Sequence, residues 1–228
     1  MPTNPILCAI DTPDMARAQA LIAATAGAVG GVKLGLEFFV AHGPAGIRQA
    51  AGDQKNVFLD LKLHDIPNTV AGAIRAALPL DPLLITLHCA GGAAMMRAAV
   101  EARGGARTRL LGVTVLTSLD AGDLAATGQT GPVESQVQRL ALLAQAAGLD
   151  GVVCSPQEVA LIRAACRKDF LVVVPGIRPA GAAVGDQKRV LTPRAAIEAG
   201  ADYLVIGRPI TEAADPGEAA RAIHAELS

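Results

Sequence analysis

Tryptophan is absent from the 228 residues, tyrosine occurs once and phenylalanine four times. A core with so few large rings has to be filled by Ala, Val, Leu and Ile packed closely through small residues. A surplus of either charge is also missing, since 20 basic and 21 acidic residues leave a formal net charge of −1. That balance argues against a dedicated nucleic-acid binder, which needs a basic excess or stripe. Charged residues make up only 18% and apolar ones 51%, which excludes disorder. No uninterrupted apolar run is long enough to span a membrane. The N-terminal segment MPTNPILCAIDTPD has neither the basic region nor the long apolar region of a signal peptide, so a cytoplasmic location is expected. The four cysteines, Cys8, Cys89, Cys154 and Cys166, form no C-x-x-C pair. Reduced, buried thiols are expected in preference to disulfides or a metal site. His42, His64, His88 and His224 show no H-x-H or H-x-x-x-H spacing, so no metal is expected. Packing or hydrogen bonding is the expected role of each, with His88, at a strand end, the one able to face a site.

What is present is a regular alternation. Short β-type runs at 6–10, 31–34, 57–61, 83–88, 110–116, 151–154, 171–174 and 203–206 are mostly continuous and apolar, as in strands covered on both faces. Eight such runs give units of roughly 28 residues, the size of one strand and its crossover helix. Helix starts fall between them. Ser155-Pro156-Gln157-Glu158 reads as a capping box with proline at the first helical position, Asp215-Pro216-Gly217-Glu218 has the same form, and Thr192-Pro193 is a plainer start. Pro13, Pro67 and Pro132 suggest three more. Alternating β and α units imply a parallel sheet, and eight of them favour a closed (β/α)8 TIM barrel, expected as a single domain over residues 1–228. Polar residues gather where strands end, at Asp11, Lys33, Asp60, Lys62, His88, Thr114, Thr117, Ser155, Gly176, Arg178, Gly207 and Arg208, which is where such barrels carry chemistry. The strand starts look comparatively featureless. Two connections, 117–131 and 176–189, are long enough to suggest binding loops.

The sharpest feature is the run Val57-Phe58-Leu59-Asp60-Leu61-Lys62-Leu63-His64-Asp65-Ile66-Pro67-Asn68-Thr69. Strand alternation puts Asp60 and Lys62 on one face and Leu59, Leu61 and Leu63 on the other, toward the helices. An acid and a base therefore point into the barrel, with Asp65 at its mouth, and Lys33 adds a second ammonium from an otherwise apolar second strand. A structural salt-bridge network is the plainer explanation, but burying charges costs several kcal/mol even when they are paired, so convergence at this end favours function. A second group follows strands seven and eight: Pro175-Gly176-Ile177-Arg178-Pro179, Gly185-Asp186-Gln187 and Ile206-Gly207-Arg208-Pro209. This is the usual phosphate position of the fold. Gly207 lets backbone N–H groups approach an anion, Arg208 offers a bidentate fork and Gln187 a neutral donor. A phosphate-bearing small molecule is the expected ligand.

Asp60-Leu-Lys62-Leu-His-Asp65-Ile-Pro-Asn-Thr69 resembles the signature of the orotidine 5′-phosphate decarboxylases. Val32-Lys33-Leu-Gly, Val115-Leu-Thr117-Ser118, Gly151-Val-Val-Cys-Ser155, Pro175-Gly-Ile-Arg178-Pro, Gly185-Asp-Gln187 and Val205-Ile-Gly-Arg208-Pro extend the likeness over nearly the whole chain in the right order. The resemblance implies a cofactor-free lyase that makes UMP and CO2 from orotidine monophosphate in pyrimidine synthesis. Lys62 then resembles the proton donor to C6, within a network of Lys33, Asp60, Lys62 and Asp65. Asp65 and Thr69 resemble the pair that reaches into the neighbouring site of a homodimer. Asp11 and Lys33 resemble ribose contacts, and Thr117 and Ser118 contacts to the nucleotide and its pyrimidine edge. Gln187, Gly207 and Arg208 resemble the phosphate grip, with Pro175 and Arg178 beside it.

Three other readings share parts of this pattern. A magnesium-dependent keto-gulonate phosphate decarboxylase on the same barrel has the Asp-x-Lys-x-x-Asp run but a carboxylate in strand two, where this chain has Lys33. A Schiff-base aldolase needs a neutral lysine, which flanking carboxylates oppose. A non-catalytic nucleotide-binding barrel is expected to lack a member of the charged tetrad, and all four are present.

Overall fold

The structure, a computed structural model, describes residues 3–54, 56–179 and 191–227. Eight strands, β1 (Ile6–Ile10), β2 (Gly31–Gly35), β3 (Val57–Leu63), β4 (Leu84–His88), β5 (Arg109–Val113), β6 (Gly151–Val153), β7 (Leu171–Val174) and β8 (Tyr203–Ile206), form a closed barrel in chain order. All eight pairings are parallel, and β8 closes on β1 through Ile6–Leu204, Leu7–Val205 and Cys8–Ile206. The helices are α1 (Met15–Thr25), α2 (Leu36–Ala51), α3 (Pro67–Ala77), α4 (Gly92–Arg103), α5 (Ala121–Ala126), α6 (Val133–Ala146), α7 (Val159–Ala165), α8 (Pro193–Glu198), α9 (Arg208–Thr211) and α10 (Pro216–Ala225). The TIM-barrel expectation holds.

Two layers of apolar packing follow from strand alternation. Leu7, Ala9, Phe58, Leu84, Leu111, Val173 and Val205 fill the inside of the barrel. Their strand neighbours, among them Cys8, Leu59, Ile85, Leu110, Val152, Val172 and Leu204, pack outward with the helices. Cys8, Cys89 and Cys154 are buried, Cys166 is half-buried, and all four are free thiols. Burial pushes the Cys8 and Cys89 thiols up to about 12.

Helix starts largely follow the anticipated caps. The Ser155 hydroxyl accepts from Gln157 N–H and the Glu158 carboxylate accepts from Ser155 N–H, opening a 3-10 turn that leads into α7. Asp215 caps α10 and Thr192 caps α8. Ser155, expected among the site residues at the strand ends, is thus fully buried as a cap. α1 begins after Asp14, whose carboxylate accepts from Arg17 N–H, so Pro13 lies outside the helix. α2 breaks at Gly43, where φ is 61°, immediately before Pro44. The 117–131 connection is not a plain loop, because Asp120 and Asp123 form a capping box that starts α5. Most of the 176–189 connection lies outside the described residues.

Strand bounds differ in two places that matter. β3 continues to Leu63, and β5 ends at Val113 instead of 116. Thr114 donates both its N–H and its hydroxyl to the Val153 carbonyl, after which the chain leaves the ladder and lines the barrel mouth. The strand starts, in turn, are far from featureless. Asp150 accepts from Leu110 N–H and pairs with Arg103 and Arg109, while Asp202 accepts from Val172 N–H and pairs with Arg163. Each carboxylate satisfies a neighbouring strand's first free donor, a demand that composition does not reveal.

Candidate active site

Four charged side chains meet at the C-terminal ends of β1, β2 and β3. Lys33 Nζ lies 2.9 Å from Asp11 Oδ1 and 3.6 Å from Asp60 Oδ2. Lys62 Nζ donates to the same Asp60 Oδ2 at 2.7 Å. Lys33 and Asp60 are well buried, with side-chain exposures of 11% and 13%, whereas Asp11 is open at 62%. Burial alone would drive the Lys33 ammonium toward neutrality, but Asp11 and Asp60 outweigh it and raise its pKa above the usual lysine value. Burial likewise opposes the Asp60 carboxylate, and Lys33 and Lys62 prevail, holding its pKa below the ordinary range. Both groups are therefore ionised at neutral pH. Gly35 leaves room for this, since a Cβ there would sit 3.3 Å from Lys33 Nζ.

The pleat by itself does not deliver Lys62. Leu59 pairs with Ile85 and Leu63 with Leu87, so four steps along β3 match two along β4. Within that bulge Lys62 adopts φ 48°, a left-handed backbone that costs a non-glycine residue about 1–2 kcal/mol. Leu61 stays buried toward the helices and Leu63 packs against the same outer core. The in–out alternation expected for Leu59, Leu61 and Leu63 thus survives, while the extra residues re-aim Lys62.

These charges form one wall of a cavity of about 500 Å³. Val113 at the end of β5 and Val115, Leu116 and Thr117 after it line the cavity, as do Pro175, Gly176 and Arg178 after β7 and Gly207, Arg208, Thr211 and Glu212 after β8. Arg178 is 9% exposed and donates to the Ile177 carbonyl at 2.9 Å. Burial and then the neighbouring Arg208 lower its pKa, with Glu212 opposing. Two guanidinium groups at one end of a cavity, lysines and aspartates at the other, and apolar side chains between them suit an elongated ligand with an anionic terminus.

The chain's sequence matches the model of the "Orotidine 5'-phosphate decarboxylase / HUMPS family" over residues 4–223. The chain belongs to that family. It is 56% identical over 226 residues to the orotidine 5′-phosphate decarboxylase of Anaeromyxobacter dehalogenans, covering 99% of each chain. The same enzyme of Paramagnetospirillum magneticum is 54% identical over 231 residues, with 98% of each covered. Among solved structures, the orotidine 5′-phosphate decarboxylase of Lactobacillus acidophilus superposes with a TM-score of 0.87 at 35% identity, over 99% of both chains.

Within this decarboxylase fold, the anticipated residues divide into three groups. Asp11, Lys33, Asp60, Lys62, Thr117, Pro175, Arg178, Gly207 and Arg208 all line the cavity. Asp65, Thr69 and Ser118 are exposed and do not. Asp65 accepts from Ile66 N–H at 2.6 Å, and among the described residues Asp60 is the carboxylate in ion-pair contact with Lys62. The expected four-member network is thus, within one chain, a cluster of Asp11, Lys33, Asp60 and Lys62. Gln187 lies outside the described residues. The His88 ring lies tilted by 34° against that of His64, with centroids 5.4 Å apart, and does not line the cavity. Thr86 in β4 went unnoticed in the sequence, although it stands two residues before His88 on the inward face. No three His, Cys, Asp or Glu side chains among the described residues form a metal-holding group. The ammonium of Lys33, 3.6 Å from Asp60, stands where the magnesium-dependent alternative requires a carboxylate.

Proposed function

We propose that this chain decarboxylates orotidine 5′-monophosphate to UMP and CO2 in pyrimidine biosynthesis, with Lys62 delivering the proton to C6. Full-length identity to decarboxylases supports the reaction, and the observation that carries the mechanism is the Lys62–Asp60–Lys33 contact at the barrel mouth. Heterolysis of the C6–carboxylate bond releases CO2 and leaves the electron pair on C6, a vinyl carbanion with no adjacent group to accept charge. A fixed ammonium meets that developing charge without reorganisation. Lys62 Nζ then gives a proton to C6, and solvent returns one to the lysine. No cofactor enters this scheme. Asp60 does more than orient the lysine. A substrate carboxylate about 4 Å from it would be repelled by about 4 kcal/mol at an effective dielectric of 20, and Lys33 offsets part of that. Stabilisation of the carbanion is the larger share in this reading.

The phosphate sits with Arg178, Gly207 and Arg208, Gln187 is read from the sequence as a further neutral donor, and Asp11 and Lys33 meet the ribose. Thr117, which lines the cavity, and Ser118 beside it are read as contacts to the nucleotide and its pyrimidine edge. Binding energy collected at the phosphate, remote from C6, holds the reacting charges in place.

Asp65 and Thr69 are read as serving the site of a second copy of the chain. Their exposure supports this, and so does the apolar side chain next to Asp65 in the chain, Ile66, which is 67% exposed. Cytoplasmic placement belongs to the same proposal. Among the described residues no helix is long and apolar enough to cross a membrane.

The direct test is a spectrophotometric assay for loss of orotidine monophosphate, with Lys62→Ala as its control. Turnover is expected for the wild-type chain, and in Lys62→Ala a loss of several orders of magnitude in kcat with the fold intact by circular dichroism. Normal turnover in Lys62→Ala would remove the lysine from the mechanism.

A further inference from the structure

The bulge in β3 leaves Lys62 N–H without a ladder partner from β4, and a buried amide in that position needs an acceptor. The acceptor is Thr86 Oγ1, at 2.9 Å. The same hydroxyl donates its proton to Asp60 Oδ1, also at 2.9 Å. Thr86 is fully buried at the middle of β4. Its oxygen has one proton to give and lone pairs to receive, so both contacts form together and fix the hydroxyl's direction. The β-branched side chain restricts χ1 as well, which a serine would do less firmly.

Asp60 thereby has its two oxygens assigned to different tasks. Oδ1 is engaged by Thr86, and Oδ2 faces both Lys62 at 2.7 Å and Lys33 at 3.6 Å. Rotation of the carboxylate about χ2 moves both oxygens together, so it cannot release the lysines without also breaking the Thr86 contact. The left-handed backbone at Lys62, φ 48°, is tied through its own N–H to the same hydroxyl. One side chain on β4 thus couples the backbone that launches the lysine to the carboxylate that receives its ammonium.

We infer that Thr86 is a positioning residue for the decarboxylation, holding the Lys62 backbone and the Asp60 carboxylate in the relative placement the proton transfer requires. The inference rests on the reading of Lys62 and Asp60 as the reacting pair. Thr86 does not line the cavity, so its effect passes through those two residues and belongs in kcat and not in ground-state binding.

The experiment compares Thr86→Val, which keeps the shape and removes the hydroxyl, with Thr86→Ser, which keeps the hydroxyl, and runs Lys62→Ala beside them. Misplacement of reacting groups by a fraction of an ångström is expected to lower kcat of Thr86→Val roughly 10- to 100-fold. Its KM for orotidine monophosphate and its calorimetric affinity for UMP should stay within about threefold of wild type. Thr86→Ser should recover kcat to within about fivefold of wild type. Should Thr86→Val fail to fold, Thr86→Ala against Thr86→Ser carries the same comparison. Wild-type kcat in the variant lacking the hydroxyl, or a serine variant as impaired as that one, overturns the positioning role. If Lys62→Ala is inactive in that same series, the mechanism stands and only Thr86 loses its part. If Lys62→Ala turns over normally, the reading beneath falls first, and the role of Thr86 with it.

Discussion

His88 sits beside the charged cluster without entering it, and its titration is set by that company. Burial lowers its pKa below the usual histidine value, His64 and Lys62 lower it further, and Asp60 opposes them. The unfolded chain therefore takes up a proton near pH 6.5 that the folded chain resists. Stability from this residue is complete above that pH and is lost as pH falls through 6.5 toward the lower folded value. His88→Gln should reduce the drop in melting temperature between about pH 7.5 and pH 5.5, measured by differential scanning calorimetry. An unchanged drop would assign the acid sensitivity to other groups. Residue by residue, the sequence made the chemistry visible wherever charge interrupts an apolar strand, as at Lys33, Asp60 and Lys62. It concealed Thr86, because a threonine is ordinary in a strand and its two contacts exist only through a bulge that no periodicity announces.

The strands were legible because each is a short apolar run covered on both sides, and several helices because Ser155, Thr192 and Asp215 cap them by side-chain chemistry that is local in sequence. Their ends were less so. β5 stops at Val113 because Thr114 turns its hydroxyl onto a neighbouring strand, a contact 39 residues away. The glycine that begins β6 is a point of close strand approach. A Cβ at Gly151, which begins β6, would lie 2.3 Å from the Leu171 carbonyl oxygen and 2.5 Å from its Cβ. Backbone atoms there cannot yield as a flexible side chain would. Gly151→Ala should destabilise the protein by about 1–3 kcal/mol or more in urea unfolding. A midpoint within error of wild type would show that β6 and β7 can separate without loss.

At the scale of the molecule, eight alternating units were enough to anticipate closure, since sequential parallel strands with crossover helices leave few other arrangements. A single chain's sequence could not show whether Asp65 serves its own pocket or that of a second copy. Asp65 lies two residues beyond β3 yet is exposed and held to its own loop through Ile66 N–H. If two copies share their sites, inactive Lys62→Ala and Asp65→Ala chains should complement one another. Equal mixing after subunit exchange is expected to restore about a quarter of wild-type activity, because half the dimers are mixed and each has one intact site. Failure of the mixture to exceed its components would assign each site to one chain.

The arginine–aspartate pairs at Asp150 and Asp202 lie across the barrel from the Asp11–Lys33–Asp60–Lys62 cluster, with Leu7, Phe58, Leu84, Leu111 and Val173 filling the space between. That oily plug holds the two sets of charges a barrel's depth apart and out of contact, so the scaffold's foundations and its charged rim are separate design problems. A lineage adapting to heat can rebuild the floor of the vessel while the recipe at its lip stays untouched.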